Sequence, residues 1–301
     1  MDWITGIQNA INYIEDNLLE EIDYEEIAKH SYSSNYHFQR VFGILCGYTV
    51  GEYIRNRRLT LAGMELQTEK AKVIDVALKY GYDSPDSFGK AFQRFHGITP
   101  KEARMDGVVL NSFSRLTLKI ILEGGKMMNY KIEEKPEMIL TGYKRHFTGT
   151  PAKRADQEEA FYLETRVNQY ALKGLARDCE TNYSVIMNMG DDGYDFYIAT
   201  KLHSWVTENL ESILGEKEKE RFENIIIPTG MYLVCETERE RYPVMQMEEL
   251  RKQAVSEWLP SSGYELADAP EINVVHWFYN PDNDEVNDSR YVELWLPIKK
   301  A

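Results

Sequence analysis

The first hundred residues place apolar side chains at the spacing of amphipathic helices. Ile4, Ile7, Ile11 and Ile14 recur every three or four positions, which predicts a first helix with one buried side and with Asp2 as its N-terminal cap. Further segments with the same period follow as far as about residue 105. The pattern therefore predicts an all-α N-terminal domain over residues 1–105.

One longer pattern in this region occurs twice, fifty positions apart. Each copy has a phenylalanine, an apolar residue, a second phenylalanine, a glycine and a threonine: Phe38, Val41, Phe42, Gly47 and Thr49, then Phe88, Ala91, Phe92, Gly97 and Thr99. Each copy also follows a short helical segment and a tight turn, so the pattern predicts two helix-turn-helix units. A capping-box spacing at Thr49 and Glu52 starts one long helix that connects them.

The second helix of each unit is predicted at about 34–46 and 85–95, with its phenylalanines turned inward. The outward positions hold polar side chains: Tyr36, Gln39 and Arg40 in the first unit, and Asp86, Ser87, Lys90 and Arg94 in the second. Such a helix can enter the DNA major groove while basic residues neutralise phosphates, and two units in one chain can read successive grooves. Ordinary helical hairpins fit the same pattern, and periodicity alone does not separate the two.

Asp86 is unusual among the outward positions because a carboxylate repels phosphate. It can accept a hydrogen bond from a cytosine amino group, or it can cap the helix that begins at Pro85. We favour the cap.

After Gly124 and Gly125 the apolar period changes from that of helices to that of strands. Two strands about a Lys-Pro turn, a helix over about 156–175 and a hairpin through 190–193 come first. A strand, a helix and a strand pair then recur between about 224 and 298. This duplicated order of strand, helix and hairpin predicts an α+β domain with one antiparallel sheet backed by helices. We place this domain at 128–301 and a linker at 106–127.

The last predicted strand separates its residues into two faces. Apolar residues alternate from Val292 to Leu296 on one face and are expected to pack on helices, which places Tyr291, Glu293 and Trp295 together on the other. A carboxylate between two aromatic rings is either a solvated group on a wet face or part of a cleft that accepts a large organic cation.

Two further aromatic residues, Tyr197 and Trp277, lie on strands that are predicted to face the same side as Glu293. They are weaker candidates for an effector site, because an aromatic residue in a strand usually belongs to the plain core.

The composition and charge change this picture only in part. The formal net charge is −14, yet residues 30–104 hold 11 Lys and Arg against 7 Asp and Glu, whereas residues 126–301 hold 21 against 32. Three cysteines without paired spacing argue against a disulfide framework or a zinc site, and we expect no metal and no cofactor. No apolar stretch is long enough to span a membrane, so we expect a soluble cytoplasmic protein.

The N-terminal segments "IAKHSYSSNYHFQRVF" and "VALKYGYDSPDSFGKAFQRFHGITPKEAR" resemble the AraC/XylS class of transcription regulators over about residues 3–105. Departures are Val76, Tyr82 and Ala103, where that class usually has isoleucine, phenylalanine and tyrosine. The resemblance implies DNA-contacting roles by position for these residues: Tyr36, Gln39, Arg40, Asp86, Ser87 and Lys90. Arg40 is expected to contact a guanine or a phosphate, Gln39 an adenine or the backbone, and Lys90 a phosphate.

The segments "MNYKIEEKPEMILTGYK", "IIIPTGMYLVCE", "VSEWLPSSGYEL" and "YVELWLPI" resemble the GyrI-like effector-binding domain over about residues 128–301. Glu293 matches the glutamate that in this family meets cationic, lipophilic ligands in a pocket. The two resemblances together imply a one-component regulator with multidrug-type sensing. It would bind double-stranded DNA and a small-molecule effector, and would act on DNA conformation or on the recruitment of RNA polymerase.

Two other functions remain open at this point. Some GyrI-like proteins resemble hydrolases of strained electrophilic compounds, and Glu293 with Tyr197 or Tyr291 would then act as base and orienting group. No nucleophile elbow, phosphate loop or zinc-protease motif supports catalysis, and we expect no enzyme activity. The acidic second half could also bind a basic protein surface, although its positive residues are mixed throughout.

Overall fold

The computed structural model describes residues 3–68, 71–117, 128–148, 151–190, 193–215 and 221–301. The chain divides into two compact units, the first made largely of residues 1–123 and the second of Gly124–Ala301. Asp2, the predicted cap, and residues 118–127 of the predicted linker lie outside the described residues. The exact domain limits therefore stay predictions.

The first unit is helical, as the sequence predicts. Its described helices are Trp3–Asp16 (α1), Tyr24–His30 (α2), Asn35–Cys46 (α3), Val50–Thr68 (α4), Val73–Lys79 (α5) and Pro85–His96 (α6). The repeated pattern corresponds to the pairs α2–α3 and α5–α6. Each pair consists of a short helix, a turn and a longer helix. The four phenylalanines of that pattern are 2% exposed or less and occupy the cores: Phe38, Phe42, Phe88 and Phe92.

Local backbone signals place the ends of these helices. The Thr49 amide donates to Glu52 Oε2 at 2.8 Å and the Glu52 amide donates to Thr49 Oγ1 at 3.1 Å, which confirms the capping box at the start of α4. Gly81 has a φ of 80° in the turn between α5 and α6, where a side chain would be strained. The start of α4 and the turn before α6 are therefore marked by interactions within a few residues.

Polar contacts join helix α4 to α1 near one end and to α5 of the second helix-turn-helix unit near the other. Glu15 on α1 accepts hydrogen bonds from the Tyr53 hydroxyl at 2.6 Å and from Arg57 Nε at 2.8 Å, and its side chain is 7% exposed. At the other end of α4, Glu65 pairs with Lys79 at 2.7 Å. Burial acts to raise the pKa of Glu15, but the hydrogen bonds and charge of Arg57, with the Tyr53 bond, lower it below its ordinary value of 4.5.

The second unit is built on one antiparallel sheet. Its strands are Tyr130–Lys135 (β1), Met138–Phe147 (β2), Thr181–Gly190 (β3), Gly193–Thr200 (β4), Glu223–Ile227 (β5), Gly230–Glu236 (β6), Tyr264–Leu266 (β7), Glu271–His276 (β8) and Tyr291–Lys300 (β9). The order across the sheet is β1-β6-β9-β8-β3-β4-β2-β5, with β7 also paired to β9. Strands β3 and β8 meet at the centre, and equivalent strands of the two halves follow outward on each side. The predicted α+β fold with a duplicated unit is confirmed.

Helices lie between the strands of both halves: Pro151–Glu164 (α7), Arg166–Ala176 (α8), Ser204–Glu208 (α9), Leu210–Leu214 (α10), Met247–Gln253 (α11), Leu259–Ser262 (α12) and Asp284–Asn287 (α13). The prediction of a single helix at 156–175 is wrong in one respect, because the helix is interrupted at Thr165 and continues as a second helix. The Thr165 hydroxyl donates at 2.6 Å to the Phe161 carbonyl, which also accepts the Thr165 amide at 3.1 Å, and such a bond from a threonine hydroxyl bends a helix. A π-helical turn, Ala254–Trp258, joins α11 to α12.

The two faces of the sheet have different cores. On the helix side, Phe147, Phe161, Leu172 and Phe196 form one apolar cluster. On the opposite side, Leu140, Val185, Tyr197, Tyr232, Val234, Ile272 and Trp295 belong to another. This second cluster lies on the side of the sheet that carries Tyr197, Glu293 and Trp295.

Replacing Glu15 with glutamine is expected to destabilise the helical unit by about 2–4 kcal/mol, because the Arg57 guanidinium, 12% exposed, loses its charged partner. The midpoint of urea denaturation, followed by circular dichroism, measures this loss. Since the folded pKa of Glu15 is lowered, its stabilisation is present above about pH 4.5 and is lost as the pH falls through the folded value. The difference between wild type and variant should therefore shrink in acid.

Asp16→Asn is the matched control, because Asp16 is the exposed neighbour on the same helix. An equal midpoint for Glu15→Gln and wild type at pH 7 would contradict a stabilising role for this ion pair.

Candidate functional site

Strand β9 separates its side chains as the sequence predicts. Val292, Leu294 and Leu296 are 1% exposed or less, and Glu293 and Trp295 belong to the opposite side. Glu293 lies opposite Val274 of β8 and Glu236 of β6, and Trp295 lies opposite Ile272 and Val234. The face that carries Glu293 is thus continuous across three strands.

The Glu293 carboxylate is held by two donors. His276 Nε2 lies 3.2 Å from Oε1, and the Trp295 indole Nε1 donates to Oε2 at 2.7 Å. The Glu293 side chain is 14% exposed. Burial acts to raise the pKa of Glu293, but the hydrogen bonds from His276 and Trp295 and the nearby charge of Lys131 lower it below 4.5. The carboxylate is therefore ionised at neutral pH.

Both aromatic neighbours of Glu293 contact a side-chain cation. The Lys135 ammonium lies 4.1 Å from the centroid of the Trp295 ring. The Arg239 guanidinium lies 4.2 Å from the centroid of the Tyr291 ring, and the His276 ring stacks on Tyr291 at 4.2 Å between centroids. Trp295 is only 9% exposed and contacts Tyr232 at 6.2 Å between ring centroids. The chain's own side chains fill this face.

Tyr197 shares the face with Glu293, in the half of the sheet formed by β3 and β4. It lies opposite Val185 and Lys144, is 5% exposed, and has the Lys144 ammonium 5.7 Å from its ring centroid. A second held carboxylate is nearby on β4: Asp195 contacts His146 Nδ1 at 2.8 Å and Lys144 at 3.1 Å. Burial acts to raise the pKa of Asp195. The hydrogen bonds from Asn188, His146 and Lys144 outweigh this effect and lower the pKa below its ordinary value.

The structure places Trp277 away from this group and corrects its predicted position. Its ring lies 4.2 Å from the Arg290 guanidinium and 6.4 Å from the Tyr242 ring. The reason is the alternation of the strand: His276 takes the side of Glu293, so the next residue takes the other. Sequence reasoning missed His276, and the only signal for it would have been the pairing of β8 with β9.

Within the described parts of the chain, no group of three or more His, Cys, Asp or Glu residues is arranged to hold a metal ion. The helices there are all too short or too polar to cross a membrane.

The second helix of the second unit, α6, presents four of the predicted DNA-contacting residues to solvent: Asp86, Ser87, Lys90 and Arg94. Lys90 pairs with Asp86 at 2.8 Å, one helical turn apart. The predicted cap at Asp86 is wrong. Pro85 is the first helical residue, so Ser84 occupies the cap position and accepts a hydrogen bond from the Ser87 amide at 3.2 Å.

On the second helix of the first unit, α3, Tyr36 and Gln39 are partly exposed, and Gln39 donates to the Asn35 side chain at 2.7 Å. Arg40 is 3% exposed, which contradicts its predicted place on an open face. The helical period identifies the side turned to the core formed by Phe38, but it carries no information on the exposure of the other side. A contact between Arg40 and DNA would require a conformation in which its side chain is exposed.

Comparison with protein families gives a match in each unit. Residues 27–106 match a model described as a helix-turn-helix domain, and residues 131–298 match one described as an integron-associated effector binding protein. The HTH-type transcriptional activator AarP of Providencia stuartii is 41% identical over 114 residues, which cover 38% of this chain and 84% of AarP. The regulatory protein SoxS of Salmonella typhimurium is 37% identical over 98 residues, which cover 33% of this chain and 92% of SoxS.

Solved structures resemble each unit separately. The structure of SAV2435 bound to tetraphenylphosphonium aligns with 57% of this chain and 94% of its own, at 16% identity and a TM-score of 0.41. The DNA-binding domain of AdpA in complex with a target DNA aligns with 35% of this chain and 91% of its own, at 27% identity and a TM-score of 0.32.

Replacing His276 with phenylalanine is expected to raise the pKa of Glu293. The variant keeps a ring beside Tyr291 but removes one of the hydrogen bonds that offset the burial of the carboxylate. A carbon-13 NMR titration of the Glu293 side-chain carboxyl measures the shift, with His203→Phe, at an exposed position, as control. An unchanged pKa of Glu293 in His276→Phe would show that His276 does not stabilise the ionised form.

Proposed function

Because the chain belongs to the AraC-type helix-turn-helix transcription regulators and, in residues 131–298, to the integron-associated effector-binding family, we propose that its sheet unit senses a bulky lipophilic cation. The helical unit binds double-stranded DNA. The protein acts in the cytoplasm, where RNA polymerase is a further proposed partner. Regulation requires that the bound effector favour one state of the protein over another.

The observation that carries the proposed effector class is the Glu293 carboxylate. It is ionised, it is largely buried, and it is hydrogen-bonded to the Trp295 indole and to His276, whose ring stacks on Tyr291. A partly buried anion attracts a countercharge, and ring faces attract cations. A large organic cation spreads its charge and costs little to dehydrate, so it fits this combination better than a small hydrated ion or an anion.

The proposed DNA surface is the exposed side of α6. Lys90 and Arg94 lie one turn apart on that side, so that both can reach phosphates or base edges of one groove. Asp86 lowers the local charge but also holds the Lys90 side chain in place. Tyr36 and Gln39 on α3 are the corresponding candidates for the first unit.

Replacing Lys90 and Arg94 singly with alanine is expected to weaken operator binding about 5- to 30-fold, because each variant loses a charged contact. The slope of log affinity against log salt should also fall by about 0.9 for each phosphate contact removed. Fluorescence anisotropy measures both quantities on a DNA fragment selected by the wild-type protein from a random pool.

The control for DNA binding is Lys252→Ala, which removes an equal charge from a helix of the sheet unit. If affinity and salt slope match wild type in both α6 variants, α6 is not the DNA-reading helix.

Calorimetric titration with tetraphenylphosphonium should give saturable binding to wild type and at least a tenfold loss in Glu293→Gln. Neutral triphenylphosphine oxide should bind weakly to both proteins. Because the pKa of Glu293 is lowered below 4.5, the carboxylate stays ionised from pH 8 to pH 5, and its contribution to cation affinity should be lost only in stronger acid.

Glu134→Gln serves as the matched control for the effector, since Glu134 is an exposed carboxylate that alternates to the other side of β1. Equal binding of the cation and the neutral compound would reject the proposed ligand class. A changed mass in the recovered ligand would instead identify the sheet unit as an enzyme.

A further inference from the structure

The Trp295 ring already has a cation on its face. Lys135 is the last residue of β1, and its ammonium lies 4.1 Å from the ring centroid with the side chain 17% exposed. Glu133, two residues earlier on the same face, pairs with Lys135 and also with Lys131 at 3.1 Å. The lysine is therefore held between an aromatic ring and a carboxylate, which are the two groups that a cationic ligand would use.

The second ring beside Glu293 has the same kind of neighbour. Arg239 stacks on Tyr291 at 4.2 Å and lies 3.6 Å from Glu236, the carboxylate directly opposite Glu293. Arg239 is 53% exposed, whereas Lys135 is 17% exposed, so Lys135 covers the more enclosed ring.

We propose that Lys135 is an internal competitor for the cationic effector: its ammonium occupies the Trp295 ring face in the free protein, and the effector binds by displacing it. This inference rests on the proposed function and concerns the same site. It assigns to Lys135 the role of a specificity-determining residue.

The packing around Trp295 indicates which neighbour can leave. The ring is 9% exposed and is in contact with Tyr232 and Lys135, so a further cation reaches it only if one of them moves. Tyr232 is fully buried in the core cluster. Lys135 lies at the end of a strand and keeps Glu133 as a partner after it leaves the ring. Displacement of Lys135 thus breaks one ring contact without leaving its charge unpaired.

This competition would select among cations by size. A compact alkylammonium ion replaces one cation on the ring with another and gains little, while it also loses hydration. An effector with several aromatic rings adds buried apolar surface to the same exchange and can outcompete the lysine. Lys135 thereby sets a lower size limit for the effector.

Calorimetric titrations of wild type, Lys135→Met, Lys135→Arg and Lys131→Met test the proposal, with tetraphenylphosphonium and tetramethylammonium as probes. Methionine keeps an unbranched apolar side chain and removes the charge. We expect Lys135→Met to bind tetraphenylphosphonium about 5- to 10-fold more tightly and to gain measurable affinity for tetramethylammonium. Lys135→Arg, which keeps a cation, should stay close to wild type.

Lys131→Met measures the general effect of removing one positive charge from β1. Lys131 pairs with the same Glu133, and its charge is among those that lower the pKa of Glu293. If competition at the ring is the cause, the gain in Lys131→Met is smaller than the gain in Lys135→Met. Equal gains would overturn the proposal, because they would show a field effect without competition.

A measurement on wild type tests displacement directly and does not depend on how well a variant folds. The Lys135 Hε resonances should be shifted upfield by the Trp295 ring current in the free protein and should move toward ordinary values on saturation with tetraphenylphosphonium. Unmoved resonances in the saturated protein would overturn the proposal.

Failure of the proposed effector class and failure of the competitor role of Lys135 would give different results. If tetraphenylphosphonium does not bind wild type or Lys135→Met, the proposed effector class itself fails. If it binds wild type and requires Glu293, but Lys135→Met binds no more tightly, the effector class stands and the competitor role of Lys135 is rejected.

Discussion

The structure of the sheet unit depends on one constraint, which is the alternation of side chains along a continuous antiparallel sheet. On β9 it buries Leu294 completely on one side and puts Glu293 beside two rings on the other. A slip of one residue would exchange these two faces and move the carboxylate into the apolar core. The paired registers with β6 and β8 exclude that slip, because both neighbours are hydrogen-bonded to β9 along most of their length.

The two halves of the sheet use related chemistry with different results. In each half, a carboxylate is followed two positions later by an aromatic residue that has a lysine near its ring: Asp195, Tyr197 and Lys144, then Glu293, Trp295 and Lys135. Lys144 contacts the Asp195 carboxylate itself at 3.1 Å, so that anion already has its countercharge. Glu293 is held instead by His276 and by the indole of Trp295.

The sequence predicts much of the fold, because the signals for it are local. Helical and strand periods, the capping box at Thr49 and Glu52 and the glycine at the turn before α6 all act within a few residues. The faces of β9 follow from its own alternation. The positions of His276, Lys135 and Arg239 do not, because strand order and register bring them to Glu293 from other parts of the chain. For the same reason periodicity could not report the burial of Arg40 or the place of Trp277.

Helix α4 spans 19 residues, about 28 Å, between the two helix-turn-helix units. This length is of the order of one turn of DNA, and the two units are joined in one chain with different outward residues. A DNA-binding unit built in this way has two different ends, whereas a symmetric dimer has two equivalent ones. A DNA segment bound by a single copy of the chain would therefore lack a twofold axis, and inverting that segment would reverse the direction in which the bound protein faces along the DNA. The response of a gene would then depend on the orientation of its site as well as on the presence of that site.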